Sequence, residues 1–391
     1  MLARPLTIFG RHDQATIDQL ERCAAAEEGA PAVLCADGHL GYSMPIGGVV
    51  GYRNHVSPSG VGYDIACGNL AMRTTLRAAD LGPQEYEHIA DQITRRVSFG
   101  MGRANRQPIR DHEVFDAIAH SPVAAQRKLL RLAREQLGTV GGGNHYVDVL
   151  EDEAGLLWVG VHFGSRGFGH KTATGFLNVA AGRPFESQSR QGGEMHAPPS
   201  LLPLSMPSAQ DYIAAMTIAG EYAYAGRDAV VATVLDIIGA AVTTDRVHNH
   251  HNFAWQERHG GEQYWVVRKG ATPAFPEQRG FIGGSMDDVA VIVRGVESPQ
   301  SAAALYSTVH GAGRLMSRRQ AKKSVDFRAV QDRVRARGTV LRGAGADEAP
   351  EVYRKLDDVL GPHADTIVVE HTLRPRIVVM AGADEFDPYR D

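Results

Sequence analysis

Asp64 and Cys67 stand three residues apart in the run Asp64-Ile65-Ala66-Cys67-Gly68, which follows Gly60-Val61-Gly62. A carboxylate and a thiol at that spacing can share a pair of metal ions, with the sulfur bridging. Thiolate and imidazole select soft or borderline ions, whereas carboxylate suits Mn²⁺ or Mg²⁺. A buried structural cysteine is the plainer alternative. A second cluster, Gly141-Gly142-Gly143-Asn144-His145-Tyr146-Val147-Asp148, sets three glycines before a histidine. Successive glycines can turn backbone N–H groups toward an anion, which would place His145 beside a bound phosphate. A flexible turn is the competing reading.

Three further clusters extend the inventory. His162-Phe163-Gly164-Ser165-Arg166-Gly167-Phe168-Gly169-His170 ends a β-rich run and sets Arg166 among glycines; arginine binds phosphate through two parallel hydrogen bonds. His248-Asn249-His250-His251-Asn252 holds three histidines. Successive side chains cannot all face one way, so one or two of them act as ligands at most. His310-Gly311-Ala312-Gly313-Arg314 leaves room beside His310 for a bulky adduct. It is followed by Ser317-Arg318-Arg319-Gln320-Ala321-Lys322-Lys323, whose charge suits a helix face on a nucleic-acid backbone, or a plain solvated face. Arg268-Lys269-Gly270-Ala271-Thr272 and Gly283-Gly284-Ser285-Met286 add phosphate or base contacts. Together these residues form the inventory of metal-assisted phosphoryl or nucleotidyl transfer.

These loops need a scaffold, and the chain is long enough to build one. Its 391 residues are 43% hydrophobic and 22% charged, ordinary for a globular protein with a sizeable core. A net charge of −4 confines any nucleic-acid contact to local basic patches. Three cysteines, Cys23, Cys35 and Cys67, are too few for a disulfide framework. The N-terminus shows no signal-peptide pattern, and the apolar run Asp228 to Val242 is short and interrupted by Asp236. The expectation is a cytoplasmic protein with no membrane partner.

Helical spacing predicts helices over Pro83 to Val97, Ser121 to Leu137, and Ala209 to Ala241, the last as more than one helix. β-rich runs fall at Leu156–Phe163, Tyr264–Val267, Val289–Val293, Thr366–Val369 and Arg376–Met380. No linker, repeat or regular βαβ rhythm appears, and the glycine clusters fail the dinucleotide-binding pattern. The expected fold is α+β: a single large mixed α/β domain over residues 1–391, with the chemistry on loops around a central metal cleft.

In its motifs the chain resembles the RtcB family of RNA-splicing and RNA-repair ligases. The resemblance runs from Asp37-Gly38-His39-Leu40-Gly41-Tyr42 to Leu373-Arg374-Pro375, through all seven motifs above in family order. It implies a reaction that joins an RNA 3′-phosphate, or an opened 2′,3′-cyclic phosphate, to a 5′-hydroxyl through a GMP–histidine intermediate. It implies His310 as nucleophile and Asp64, Cys67, His145, His162 and His251 as ligands, His251 being preferred to His250 because it directly precedes an asparagine. Two Mn²⁺ ions and GTP are the implied cofactors, and an archease-like activator is an implied partner. Nucleotide contacts are expected from Asn144, His145, Asp148, Asn252, Gly283, Gly284, Ser285, Met286, Gly311, Ala312, Gly313 and Met380. RNA or phosphate contacts are expected from Arg166, Lys269, Arg314, Arg318 and Lys322.

The chain departs from the family pattern in three places. Asp148 stands where many members carry Glu, Asp287-Asp288-Val289-Ala290 replaces a Gly-containing stretch, and Met380 replaces a lysine. These departures bear on guanine preference more than on the metal ligands or His310. Two rival readings use the same residues: a metal-dependent phosphoesterase or nuclease without covalent nucleotidylation, and a non-catalytic RNA-binding module.

Overall fold

A computed structural model describes residues 6–188 and 195–383 as two large β-sheets and three two-stranded ones, packed with helices, a mixed α/β arrangement as expected. The smaller of the two large sheets runs in the order Leu6–Ile8, Ala32–His39, Ile46–Tyr52, Glu262–Lys269 and Asn252–His259. The larger runs Val242–His250, Gly68–Arg77, Leu156–Phe163, Tyr146–Glu151, Ile367–Gly382, Ala290–Gly295 and Arg279–Ile282, with Val340–Ala344 parallel to Ile367–Gly382. Only His251 separates Val242–His250 from Asn252–His259, so this residue is the corner at which the chain leaves one sheet for the other.

The larger sheet curls until its two edges meet through side chains. Asn69 Nδ2 donates to the Phe281 carbonyl at 2.6 Å, and the Phe281 amide donates to Asn249 Oδ1 at 3.2 Å. Arg279 adds ion pairs to Asp245 and Glu370, at 2.5 and 2.6 Å. The strand Leu156–Phe163 is therefore covered on both faces, which accounts for its unbroken apolar run around fully buried Trp158.

The helix Pro83–Arg96 matches its prediction. The segment from Ser121 is two short helices, Ala124–Arg127 and Leu130–Gln136, with Lys128 and Leu129 between them. The predicted division after Ala209 is absent: Pro207–Ile238 is one helix of 32 residues. It carries no internal proline and is rich in alanine, so nothing breaks it. It ends at Gly239, whose left-handed φ of 64° suits glycine. The two predicted strands at the C-terminus are one strand, Ile367–Gly382. Pro375, which has no N–H to donate, is absorbed at a register shift between Pro375 and Ile377. Among the described residues, no helix is long and apolar enough to cross a membrane, and all three cysteines are free and buried.

The hairpin Tyr146–Glu151 with Leu156–Phe163 bears directly on the chemistry, since its open end carries His145 and His162. Its turn is fixed by Asp152, whose carboxylate accepts from the Ala154 and Leu156 amides, Trp158 Nε1 and Arg73 Nε at 2.9–3.0 Å. Burial works against this charge, but the Trp158, Leu156 and Arg73 donors outweigh it and hold the carboxyl below its usual range. Asp152→Ala strands buried donors, so a loss of about 2–4 kcal/mol is expected by urea denaturation. The folded pKa lies below the unfolded one. The contribution is therefore present at neutral pH and disappears as pH falls through the acid range, so the gap between wild type and variant narrows there.

Candidate active site

Strand register brings distant residues to one end of the larger sheet. His162 sits opposite both Asn69 and Tyr146, and Gly68 sits opposite both Phe163 and His250. Cys67, His145 and His251 therefore project from neighbouring strand ends beside His162. Two backbone bonds lock the corner: the His251 amide donates to the Cys67 carbonyl at 2.8 Å, and the Ala66 amide donates to the Asn252 carbonyl at 2.7 Å. The Cys67 amide donates back to the Asp64 carbonyl, folding Asp64 over the same spot.

The outcome is two groups of residues that could each hold a metal ion and that share one sulfur. Cys67, His162 and His251 form one; Asp64, Cys67 and His145 form the other. In each, one donor atom per residue lies within 4.8 Å of the others. Cys67 Sγ is 3.5 Å from His162 Nε2 and 3.6 Å from His145 Nε2, and His145 Nε2 is 3.1 Å from Asp64 Oδ2. All five residues that the family resemblance named as metal ligands meet here.

The ring orientations fit metal binding. His162 Nδ1 bonds Asn69 Oδ1 at 2.6 Å, and His145 Nδ1 bonds the Val140 carbonyl at 2.9 Å, which leaves both Nε2 atoms facing the sulfur. Such outer partners fix the tautomer of a ligating histidine. His251 Nδ1 is buried without a partner. Burial, reinforced by neighbouring His310, keeps His251 well below the ordinary imidazole range. Burial also lowers His162, with His145 and His310 adding to the effect. Both are therefore neutral, as ligands must be. Burial raises Asp64, but the His145 and Arg166 contacts overcome this and hold it below the usual carboxylate range. Burial and Asp64 push the Cys67 thiol up; a bound cation would reverse that.

His310 lies beside this cluster, its ring centroid 4.9 Å from that of His251. Its Nδ1 is 2.6 Å from Asp37 Oδ2, and the same oxygen accepts from the His310 amide at 3.0 Å. Asp37 belongs to the strand Ala32–His39, follows its apolar run Ala32–Ala36 and is fully buried. Burial opposes its charge, but His310 offsets this and leaves the carboxyl below its ordinary range. The motifs alone assign Asp37 no role. The signal that marks it is a lone acid directly after the buried apolar run Ala32–Ala36, which would be difficult to bury unless it had a partner. Gly270 makes space for the ring: a Cβ there would stand 2.4 Å from Ile46 and 3.1 Å from His310.

One cleft connects the metal cluster, His310 and a more apolar end. It is lined by Asn144, Asp148, Asn252, the segments Gly283 to Met286 and Gly311 to Arg314, and Met380, among others. At its apolar end Tyr146, Asp148, Val378 and Met380 lie on adjacent strands, paired Asp148↔Val378 and Tyr146↔Met380. Asp148 Oδ1 and the Tyr146 hydroxyl are buried without partners, and burial alone pushes the Asp148 carboxyl well above the usual range. Of the three departures from the family pattern, Asp148 and Met380 line the cleft. The Asp287 and Asp288 carboxylates instead pair with Arg333, Arg337 and Lys355. The Asn252 amide braces Gly270 and Asp64.

The expected phosphate contacts divide. The Gly141–Gly143 loop lies between two guanidinium groups: a Cβ at Gly141 would collide with Arg166, and one at Gly143 would stand 3.1 Å from Arg318. Arg314 and Arg318 both pair with Glu348, and Arg318 and Lys322 with Asp347, so the basic helix Arg318–Ser324 is tied to the cleft wall. Lys269 does not offer an RNA-facing surface charge. It is 6% exposed, and its Nζ donates to the Tyr42 carbonyl at 2.5 Å. Burial brings its pKa down to about 8.

The chain is similar to known proteins over most of its length. The chain is 32% identical over 373 residues to the RNA-splicing ligase RtcB of Escherichia coli K12, covering 88% of each protein. It is 29% identical over 406 residues to the tRNA-splicing ligase RtcB of Aeropyrum pernix, covering 84% of this chain and 83% of that one. The similarly named protein of Archaeoglobus fulgidus is 30% identical over 406 residues. The family model described as tRNA-splicing ligase RtcB matches residues 19–129 and 115–381, and the chain belongs to the RtcB family.

Proposed function

We propose that this protein is an RNA ligase that joins a 3′-phosphate or 2′,3′-cyclic phosphate end to a 5′-hydroxyl end, using GTP and a pair of Mn²⁺ ions. The observation that carries the reading is the Asp37–His310 pair in the same cleft as the Cys67-centred cluster. A phosphoesterase needs only the cluster. A histidine whose Nδ1 is held by a buried carboxylate is arranged to attack through Nε2.

The chemistry follows from that pairing. The Nε2 lone pair of His310 attacks the α-phosphorus of GTP; a P–N bond forms, the bond to the β-phosphate oxygen breaks, and pyrophosphate leaves. The ring, still protonated at Nδ1, becomes cationic, and the Asp37 carboxylate 2.6 Å away offsets that charge. The RNA 3′-phosphate then takes GMP from the histidine. The 5′-hydroxyl attacks the activated 3′-phosphorus, and GMP departs. Asp64, Cys67, His145, His162 and His251 would hold the metal ions, which when bound screen phosphate charge and stabilise the leaving group. Arg166 and Arg318, beside the glycine loop, supply fixed positive charge for phosphate.

The reading is tested by incubating RNA bearing 3′-phosphate and 5′-hydroxyl ends with GTP and Mn²⁺. Joined product is expected from the wild type. None is expected after chelation of the metal, and none from His310→Ala. Metal-dependent removal of the terminal phosphate or strand cleavage, unaffected in His310→Ala, would indicate a phosphoesterase or nuclease; metal-independent RNA binding alone would indicate a binding module.

The apolar end of the cleft yields a second expectation. Asp148 and Met380 are diagonal neighbours on adjacent strands, about 7–8 Å apart by the geometry of such pairs. A lysine in place of Met380 would give a base a charged donor and Asp148 a counter-ion. A hydrogen bond to a charged donor contributes about 1.5–3 kcal/mol, or about ten- to a hundredfold in selectivity. Self-nucleotidylation rates with GTP and ATP are expected to differ little in the wild type. Met380→Lys should widen the preference for GTP by about that factor. A wild type that rejects ATP by several orders of magnitude, unchanged in the variant, would contradict this.

A further inference from the structure

Arg227 lies in the middle of the helix Pro207–Ile238 and is fully buried, yet none of the described carboxylates pairs with it within salt-bridge distance. A buried guanidinium without a carboxylate is expensive, so its hydrogen bonds must account for its presence. They converge on the ligand-bearing segments. Nη1 donates to the Ala66 carbonyl at 3.0 Å and to the Phe163 carbonyl at 2.7 Å. Nη2 lies 2.9 Å from His250 Nδ1, and Nε donates to His248 Nε2 at 2.9 Å. Ala66 precedes Cys67, Phe163 follows His162, and His250 precedes His251.

The helix is built to bring this side chain in. Its buried face is small there: Ala219, Gly220, Ala223 and Gly226. A Cβ at Gly220 would stand 3.0 Å from Phe253 and 3.4 Å from His250, and one at Gly226 would stand 3.4 Å from Phe163. The guanidinium also lies over the Tyr224 ring at 5.2 Å, and that ring stacks on His250 at 3.9 Å between centroids. A planar group is thus held in one orientation while four of its five N–H donors are directed at two strands and the turn before Cys67.

We propose that Arg227 is a positioning residue that sets the spacing of Cys67, His162 and His251 by clamping the residue next to each of them. Ala66 makes such a clamp useful: its φ of 60° is unfavourable for a residue with a side chain, and the bond to its carbonyl holds it there. The role depends on fork geometry rather than on charge. A lysine, with its three N–H donors on a single nitrogen at the end of a flexible stem, cannot reach two carbonyls and two imidazoles at once.

The inference rests on reading the Cys67 cluster as a metal centre, and Co²⁺ tests both separately. Full-length protein is titrated with Co²⁺ while the near-ultraviolet thiolate-to-cobalt charge-transfer band is followed. Absence of that band in the wild type would count against the metal centre itself. With the band present, Arg227→Lys and Arg227→Met are expected to bind Co²⁺ about 10–100-fold more weakly, the usual effect of losing an outer-shell partner. They should also shift the band as the sulfur moves relative to the imidazoles. Ile93→Ala, in a core cluster away from the cleft, is the control: it should lower the melting temperature while keeping wild-type cobalt affinity and band position. Arg227→Lys preserves charge and most of the volume, so it gives a reading even if Arg227→Met does not fold. Wild-type affinity and band in Arg227→Lys would overturn the proposal, as would an equal loss in Ile93→Ala.

Discussion

The bond from the His251 amide to the Cys67 carbonyl, 2.8 Å long, joins the two sheets at the point where the chemistry is concentrated. The larger sheet ends at His250 and the smaller begins at Asn252, so the direction of one sheet relative to the other is set across this single corner. The Ala66 amide bond to the Asn252 carbonyl, 2.7 Å long, closes the same corner from the other side. Neighbouring contacts reinforce it. Asn69 accepts from His162 Nδ1 with its oxygen and donates to the Phe281 carbonyl with its nitrogen, so one side chain both orients a ligand and closes the sheet. Ligand geometry and fold closure are therefore one constraint.

The cleft concentrates polarity that a protein interior normally avoids. Buried polar atoms are nearly always paired. Here His251 Nδ1, Asp148 Oδ1 and the Tyr146 hydroxyl are buried without partners in its lining, and Asp37 Oδ1 lies behind His310 in the same condition. Other buried atoms, such as Asn178 Oδ1 and the Tyr212 and Thr308 hydroxyls, also lack partners, but the buried charges away from the cleft are hydrogen-bonded. Arg268 is fully buried and forms a two-pronged pair with Glu257, and Asp152 takes four donors in one turn. Unpaired groups gathered in one place are what a site built for ligands presents, since each is satisfied only when a ligand arrives.

Much of this organisation is legible in the amino-acid sequence. Asp64, Cys67, His145, His162 and His251 are a chemically unusual set, and their glycine-flanked motifs mark them despite wide separation. Strands with continuous apolar runs, such as Leu156–Phe163, are equally plain. What the sequence hides depends on long-range packing. Asp37 gains meaning only when Ala32–His39 lies against His310, and Arg227 only when one uninterrupted helix directs it at two strands and the turn before Cys67. Spacing alone reads that stretch as more than one helix, and it contains Gly220 and Gly226. Against Phe253 and Phe163 they are the small surfaces that permit close packing. Lys269 reads as a basic contact in the string Arg268-Lys269-Gly270, but two backbone carbonyls take its ammonium below the cleft.

The central claim is that His310, oriented by Asp37 beside a shared-sulfur metal cluster, carries the nucleotide. The most direct measurement is to trap the protein after mixing with GTP and Mn²⁺, digest it at alkaline pH where a phosphoramidate survives, and locate the modified peptide by mass spectrometry. The expected result is a single GMP adduct on His310, lost on mild acid treatment and absent from His310→Ala. An adduct on any other residue, or RNA end joining by wild type with no protein-bound nucleotide at any time, would contradict the account.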